Sequence, residues 1–527
     1  MINKIGFKNF RRFTDFSEKD LGDITILVGG NNAGKSTLVK AILLMRDFLK
    51  SRIERVEKTE NIFKTFTRPQ FSFDTEHVNV GDFYRAFCRQ SSRNEDTISY
   101  IMKIDKFRFT VKIRGERKSG IIPEVTMIAV SDESRDVSFT FDFAKNQMTA
   151  RFGYDNEALN GDFDKLTIQE RLNQVAYLKK RLSESTDLAQ VSDLKLKIEV
   201  EEKEIEALRK AQDLTIVEEE SVTIDMSFFI GDNLGAMVIP ELIKGFALYS
   251  EIGTLGDKRS KEYREEEAKK RILQGKASII KAISKEVETV ISSQAIEYIY
   301  AHSVNHSSLY AECANSSDYT KRTIHEFYTS RISRGDDEFS LIEHWLDEFG
   351  IGKSLKVQPY NGDNYRVVIF DDENPEITSE KRKGYPGGID LTDKGMGSIQ
   401  LVILLLRLAT LIRKYKGQQL TILLEEPEQN LHPALQSKLA DLVNTVNKDY
   451  RVRFIIETHS EYLIRKTQVL VAEANKSINH VDNPFKVIYL PDNGKPYDME
   501  YRTDGKFSND FGPGFFDEAN KLLFDIL

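Results

Sequence analysis

Apolar and polar positions change period several times along this chain. Ile24–Val28, Leu420–Leu424 and Val452–Ile456 are short, mostly apolar runs, each closed by polar or glycine-rich residues. They predict strands buried on both faces. Between residues 97 and 155 the pattern alternates instead, through Ile98–Ile104, Phe107–Ile113, Val125–Val130 and Val137–Phe143. That alternation predicts an antiparallel sheet with one buried face.

From 165 to 212 the period lengthens to seven. Ile168, Val175 and Leu182 form one series, and Val191, Ile198 and Ile205 another, with Leu194 and Leu208 offset by three. The polar break Ser183–Asp187 divides two runs, each about 30 Å long if helical. The pattern predicts a short antiparallel coiled-coil hairpin suited to docking a protein; an ordinary two-helix excursion is the other reading. Residues 236–296 read as helical, with the mixed charges Lys258–Lys261 and Glu265–Glu267 on a solvated face. Leu401–Ile412 is the most apolar run, interrupted by Arg407 and too short to span a bilayer, so a buried core helix is expected.

The chemistry sits at the ends of the apolar strands. Gly29-Gly30-Asn31-Asn32-Ala33-Gly34-Lys35-Ser36 fits G-x-x-x-x-G-K-[ST] and lies between the strand Ile24–Val28 and the helix-like stretch Thr37–Leu49. A glycine-rich turn entering a helix lets backbone N–H groups close on phosphates. Lys35 then reaches the β- and γ-phosphates, and Ser36 offers its hydroxyl to Mg2+. Gly29, Asn31, Asn32, Ala33, Gly34, Lys35, Ser36 and Thr37 are the nucleotide-binding candidates.

A hydrolase also needs carboxylates, and Glu425 and Glu426 emerge together from the strand Leu420–Leu424. Glu425 is expected to reach the metal and Glu426 to orient or deprotonate the attacking water. His459, at the end of the next strand, is expected to donate to the γ-phosphate. Gly395, Gly397 and Ser398 open the apolar helix and make a second anion-binding N-terminus. Placed at the far side of the domain, they would close on a nucleotide held by a partner subunit.

Taken in order, the P-loop, Gly-Met-Gly-Ser, Glu-Glu-Pro and Thr-His-Ser resemble the ABC-type ATPases of the SMC/RecF/OLD-like branch of bacterial AAA-family proteins. Ile5–Phe13 is similar to that branch's first strand, and the resemblance implies a nucleotide contact for Arg12. Leu431-His432-Pro433 is similar to its D-loop. Residues 504–518 resemble a small C-terminal domain of standalone members. Glu425 stands where transporter-type members carry aspartate, and Gln70 and Gln90 are open candidates for the family's Q-loop glutamine.

The fold this implies is α/β: an ABC-type P-loop ATPase head, split by a long insertion that contains antiparallel strands and the hairpin. Its expected segments are a first half-head (1–160), the hairpin (161–215), a mixed inserted region (216–380), a second half-head (381–484) and a C-terminal hairpin and helix (485–527). The implied cofactors are ATP and Mg2+. The implied assembly is a homodimer or higher homo-oligomer with ATP at the interface. The resemblance further implies control of a separate effector, a nuclease or toxin encoded nearby, in anti-phage defence. Only 68 residues follow His459, too few for the nuclease domain that OLD-type members append. The alternative is a RecF- or SMC-like ATPase acting on DNA.

Composition narrows this further. The 527 residues carry 75 basic and 83 acidic side chains, a net charge of −8, which argues against a surface coated with nucleic acid. A local basic patch, best placed at Lys381–Lys383, leaves nucleic acid open. The two cysteines, Cys88 and Cys313, lack metal-ligand spacing and read as reduced thiols. His302, His306 and His325 receive no role, and Asp371-Asp372 reads as an acidic turn after the strand Tyr365–Phe370. With no signal-peptide pattern and no membrane partner, a cytoplasmic protein is expected.

Overall fold

The computed structural model describes residues 1–52, 69–92, 95–116, 123–152, 162–184, 188–212, 220–225, 236–251, 256–300, 310–311, 318–360, 364–371, 388–477, 483–513 and 515–526. Lys381–Lys383, His302, His306, Cys313, Asp372 and most of the break Ser183–Asp187 lie outside the described residues. The chain forms two compact units. One gathers Met1, Asp20–Leu43 and Ser293–Leu527; the other gathers Ile2–Lys19 and Leu44–Ser292.

The first unit is built on a six-stranded sheet. Its order is Gln294–Ile299, Gln419–Glu425, Arg453–Glu457, Ile24–Gly29, Phe485–Leu490 and Tyr497–Met499. All neighbours pair in parallel except the last two. Parallel strands are covered on both faces, which is why Ile24–Gly29 is buried at every position. The helix Met396–Lys414 is buried without a break from Ile399 to Ile412. It is longer than its most apolar run suggests, and by length and composition alone it could cross a membrane, yet 78% of its apolar window is buried inside the protein. Arg407 enters this core paired with Glu297 and Glu326. Buried charge is tolerated there because each end has a partner. A smaller sheet combines Tyr310–Ala311, Asn364–Phe370, Ser354–Tyr360 and Gly388–Asp390.

The second unit carries the antiparallel sheet, in the order Phe13–Asp20, Ile2–Phe10, Thr97–Ile104, Phe107–Arg114, Glu124–Asp132, Val137–Asp142, Gln147–Phe152 and Glu220–Asp225. Thr97–Ile104 alternates strictly between half-buried and buried positions, as its sequence does. The buried face is aromatic: Phe7 stacks on Phe16, and Tyr100 on Phe71. Cys88 is a buried free thiol. The helices Asp162–Glu184 and Leu188–Gln212 pack through Val175, Leu178, Leu194, Ile198 and Ile205. Arg171 pairs with Glu201 across that seam at 2.8 Å.

One polar cluster ties this sheet to the helix Lys261–Ser293. Asp132 and Glu286 both bind Arg135, at 2.7 and 2.8 Å, and Lys106 joins Glu286 at 2.6 Å. Burial pushes the Asp132 carboxyl up, but the Ser134 hydroxyl and Arg135 outweigh it, so it titrates below its usual value. A carboxylate depressed in the folded state adds stability that is present above its unfolded pKa and is lost as pH falls through its folded pKa. Asp132→Ala is expected to lower stability at neutral pH by about 3 kcal/mol, because it takes from the buried Arg135 the more buried of its two carboxylate partners and leaves only Glu286. Urea unfolding at pH 7 and at pH 3 checks this, since the gap between variant and wild type narrows at the lower pH.

Candidate active site

The P-loop begins where the central strand Ile24–Gly29 leaves the sheet. A Cβ on Gly29 would lie 2.2 Å from the Leu490 carbonyl oxygen of the neighbouring strand, so no larger residue fits there. The turn then takes positive φ at Asn32 (62°) and Gly34 (102°). Gly34 pays no steric penalty for this conformation, and asparagine tolerates it better than most residues. Ala33 is buried under the loop, whereas Asn31 and Asn32 are exposed. The helix Lys35–Leu49 starts at once, with Thr37 and Leu38 donating to the Gly34 carbonyl. A glycine-containing loop on a helix N-terminus therefore caps the middle of the sheet.

Lys35 folds across the loop. Its ammonium donates to the Gly29 and Gly30 carbonyls, at 3.0 and 3.1 Å, and to His459 Nε2 at 2.9 Å. Burial lowers the Lys35 pKa, and Glu457, Glu426, Glu428 and Asp492 oppose that shift. His459 is likewise pushed down, first by burial and then by Lys35, against Glu426. A neutral imidazole that accepts at Nε2 carries its proton on Nδ1.

Three parallel strands bring the carboxylates to the same end of the sheet. Glu425 and Glu457 are register partners on adjacent strands. Parallel partners point to one face, so the two side chains leave the sheet together. Glu425 accepts from the Tyr298 hydroxyl on its other side. Glu457, 4% exposed, accepts from the Ser36 hydroxyl at 2.8 Å through Oε1, while its Oε2 is buried with no hydrogen-bond partner. Burial pushes the Glu457 carboxyl up to about 7; the Ser36 bond and Lys35 oppose this, and Glu425 and Glu426 add to it.

Glu426 holds a left-handed backbone, φ 42°. That conformation is costly for a glutamate and persists only where the surroundings impose it. Here its N–H donates to the Glu457 carbonyl at 2.8 Å, and Gln429 Nε2 donates to its carboxylate. The other carboxylate oxygen lies 3.5 Å from His459 Nε2. Glu428 is buried, and burial raises its pKa; it accepts from the His459 N–H at 2.6 Å. This loop also docks the helix that begins at Met396. A Cβ on Gly397 would lie 2.7 Å from the Asn430 carbonyl oxygen, and Gln400 donates to the Pro427 carbonyl at 3.2 Å. Gly395 is exposed and Ser398 half-buried.

The first unit thus gathers Gly29–Thr37, Glu425, Glu426 and His459 into one constellation. Gly395, Gly397 and Ser398 sit beyond the Glu426–Leu431 loop. Arg12, Gln70 and Gln90 belong to the second unit. Glu457, Tyr298 and Glu428 were missed as site residues. Glu457 stands within the Glu-Thr-His-Ser segment, and Tyr298 within the strand Gln294–Ile299, whose first residues fall in the stretch 236–296 expected to be helical.

The donor set fits a hard divalent cation: a serine hydroxyl, two side-by-side carboxylates and a buried carboxylate oxygen with no partner. Among the described residues, no group of three or more His, Cys, Asp or Glu side chains forms a self-sufficient metal cage. P-loop magnesium needs none, because phosphates and water complete its shell.

Residues 1–464 match the AAA ATPase domain family. The chain belongs to that family and is an ATPase. No curated protein matches it. Among solved structures, this ATPase is similar to the Smc head domain with an extended coiled coil, bound to the C-terminal domain of ScpA, from Pyrococcus furiosus. Identity is 11%, coverage 100% of this chain and 99% of that one, and the TM-score 0.33. It is also similar to the Smc head domain with a coiled coil and joint from Pyrococcus yayanosii, at 12% identity, with 100% and 99% covered and a TM-score of 0.35. A third is the SmcHead bound to the C-winged helix domain of ScpA, at 12% identity, with 95% and 97% covered and a TM-score of 0.33. Likeness at this level is broad, so the reading of the ATPase site rests on its own geometry.

Proposed function

We propose that this ATPase hydrolyses Mg2+-ATP at the cluster formed by Lys35, Ser36, Glu425, Glu426 and His459. The convergence of P-loop and carboxylates at the ends of three adjacent parallel strands carries this reading. Gly29–Thr37 enclose the phosphates, and Lys35 turns from the Gly29 and Gly30 carbonyls to the β- and γ-phosphates. Ser36 and Glu425 would hold Mg2+, which would supply charge neutralisation on the phosphate oxygens. Glu426, clamped by Gln429 and its own strained backbone, takes the proton of the attacking water. His459 loses its Lys35 contact as that lysine moves, and its proton can then shift to Nε2 and face the γ-phosphate.

The expected assembly is a homodimer in which the helix start Gly395–Ser398 of one subunit covers the nucleotide of the other. Ser398→Arg is then expected to leave ATP binding by the single chain intact while preventing dimerisation and abolishing turnover. Native mass measurement with and without Mg2+-ATP reads the first effect, and phosphate release the second. A variant that still dimerises on ATP would remove the start of the helix Met396–Lys414 from the interface.

The motif resemblance carries the reading one step further, to an ATPase that holds a separate effector in anti-phage defence through its inserted hairpin. Affinity purification of the full chain with its neighbouring gene products tests this. A stoichiometric second protein that rearranges with ATP supports it. A chain that purifies alone, with salt-sensitive stimulation of turnover by DNA, supports direct action on DNA instead.

A further inference from the structure

Within the site just proposed, the sequence pattern assigns the metal to Ser36 and Glu425. The geometry points to a further ligand: we propose that Glu457 is a direct carboxylate ligand of the nucleotide-bound divalent cation, sharing it with Ser36. This rests on the reading of the cluster as an Mg2+-ATP site.

The Ser36 hydroxyl, the group expected on the metal, is held by Glu457 at 2.8 Å, and not by Glu425. A hydroxyl and a carboxylate oxygen this close can share one octahedral cation, whose donors all lie about 2 Å from it. Glu457 also keeps Oε2 buried with no partner. A buried carboxylate oxygen without a donor is costly, and native proteins retain such groups where a ligand completes them. Glu425, by contrast, spends one oxygen on the Tyr298 hydroxyl.

Glu425 and Glu457 are register partners that emerge side by side, with Glu426 next in the chain. Parallel neighbours stand about 4.8 Å apart, where two ionised carboxylates repel strongly unless a cation lies between them. Lys35 faces this group, but in the proposed function it turns to the phosphates, which leaves the carboxylates to the metal. The hydrogen bond from Tyr298 fixes Glu425 on one flank, so Glu457 closes the other.

The test uses the full chain, Mn2+ as the probe and a non-hydrolysable ATP analogue. Mn2+ affinity is read by electron paramagnetic resonance in wild type, Glu457→Gln and Glu457→Asp. Analogue binding is measured separately in excess chelator. Glu457→Gln keeps an acceptor for Ser36 and removes only the charge. Its metal-free analogue affinity is expected to be unchanged, while Mn2+ affinity falls about tenfold or more. Glu457→Asp, with the charge kept but a shorter reach, falls between the two.

Mn2+ affinity in Glu457→Gln equal to wild type would overturn the proposal, as it would show the carboxyl to be a neutral structural acid. A Glu457→Gln chain that no longer folds would overturn it too, by making the group a structural one. Failure of the underlying reading looks different: wild type would not bind the analogue at all, or Lys35→Ala would bind it equally well.

Discussion

Lys35→Ala is expected to remove nucleotide binding, with affinity for ATP falling about a hundredfold or more. The loss follows from what the ammonium does. On phosphates it makes charge-assisted hydrogen bonds, each worth about 1.5–3 kcal/mol, and about 3 kcal/mol corresponds to a hundredfold. Arginine would not restore it, because its planar fork cannot enter a pocket that holds Lys35 between the Gly29 and Gly30 carbonyls and His459. The substitution acts on the free protein as well. Lys35 faces Glu457, Glu426 and Glu428, so its removal takes a positive charge away from these buried or half-buried carboxylates and leaves them only their hydrogen-bond donors. Calorimetric titration with a non-hydrolysable analogue, together with a melting curve, separates lost binding from lost stability. An unchanged affinity would remove the P-loop assignment.

Glu426→Gln is expected to keep nucleotide binding and lose turnover, by roughly a hundredfold to ten-thousandfold, the usual contribution of a positioned base. Glutamine is nearly isosteric, so the left-handed turn and the Glu457 carbonyl contact survive. Only the charge that accepts the proton is gone. His459 cannot replace it. The Glu426 carboxylate raises the His459 pKa, so without it the imidazole holds a proton less well still. An enzyme that binds ATP but cannot cleave it is expected to accumulate as the closed dimer, visible by native mass measurement with Mg2+-ATP present.

The parts of this site that the sequence made legible are those in which the chemistry is compressed into a few consecutive residues. The P-loop needs eight positions in fixed order, and the strand–loop–helix context around it can be read from the apolar run Ile24–Val28 and the helical stretch that follows. Glu425 and Glu426 were legible for the same reason, as was the alternation of Thr97–Ile104. The heptads at Val175, Ile198 and Ile205 mark residues that the structure buries in one seam, although Leu178, equally buried, lies outside those seven-residue series.

Contacts between distant strands were not legible. Ser36 meets Glu457 across 421 positions, and Tyr298 meets Glu425 across 127. Nothing local distinguishes Glu457 from any acid at a strand end; its importance comes from the register that sets it beside Glu425 and the P-loop strand. The strand Gln294–Ile299 was hidden for a related reason. It follows the helix Lys261–Ser293 with no glycine or proline between them, so the change of period has no punctuation. Likewise, the strands Ile2–Phe10 and Phe13–Asp20 pair into a sheet whose next member begins at Thr97, a partnership that only the folded chain reveals.

Single-turnover hydrolysis of radiolabelled ATP by wild type and Glu426→Gln, at matched nucleotide occupancy, tests the central claim most directly. The account predicts that both proteins fill with ATP, that wild type converts it to ADP, and that the variant holds it uncleaved. Cleavage by Glu426→Gln at the wild-type rate would contradict it.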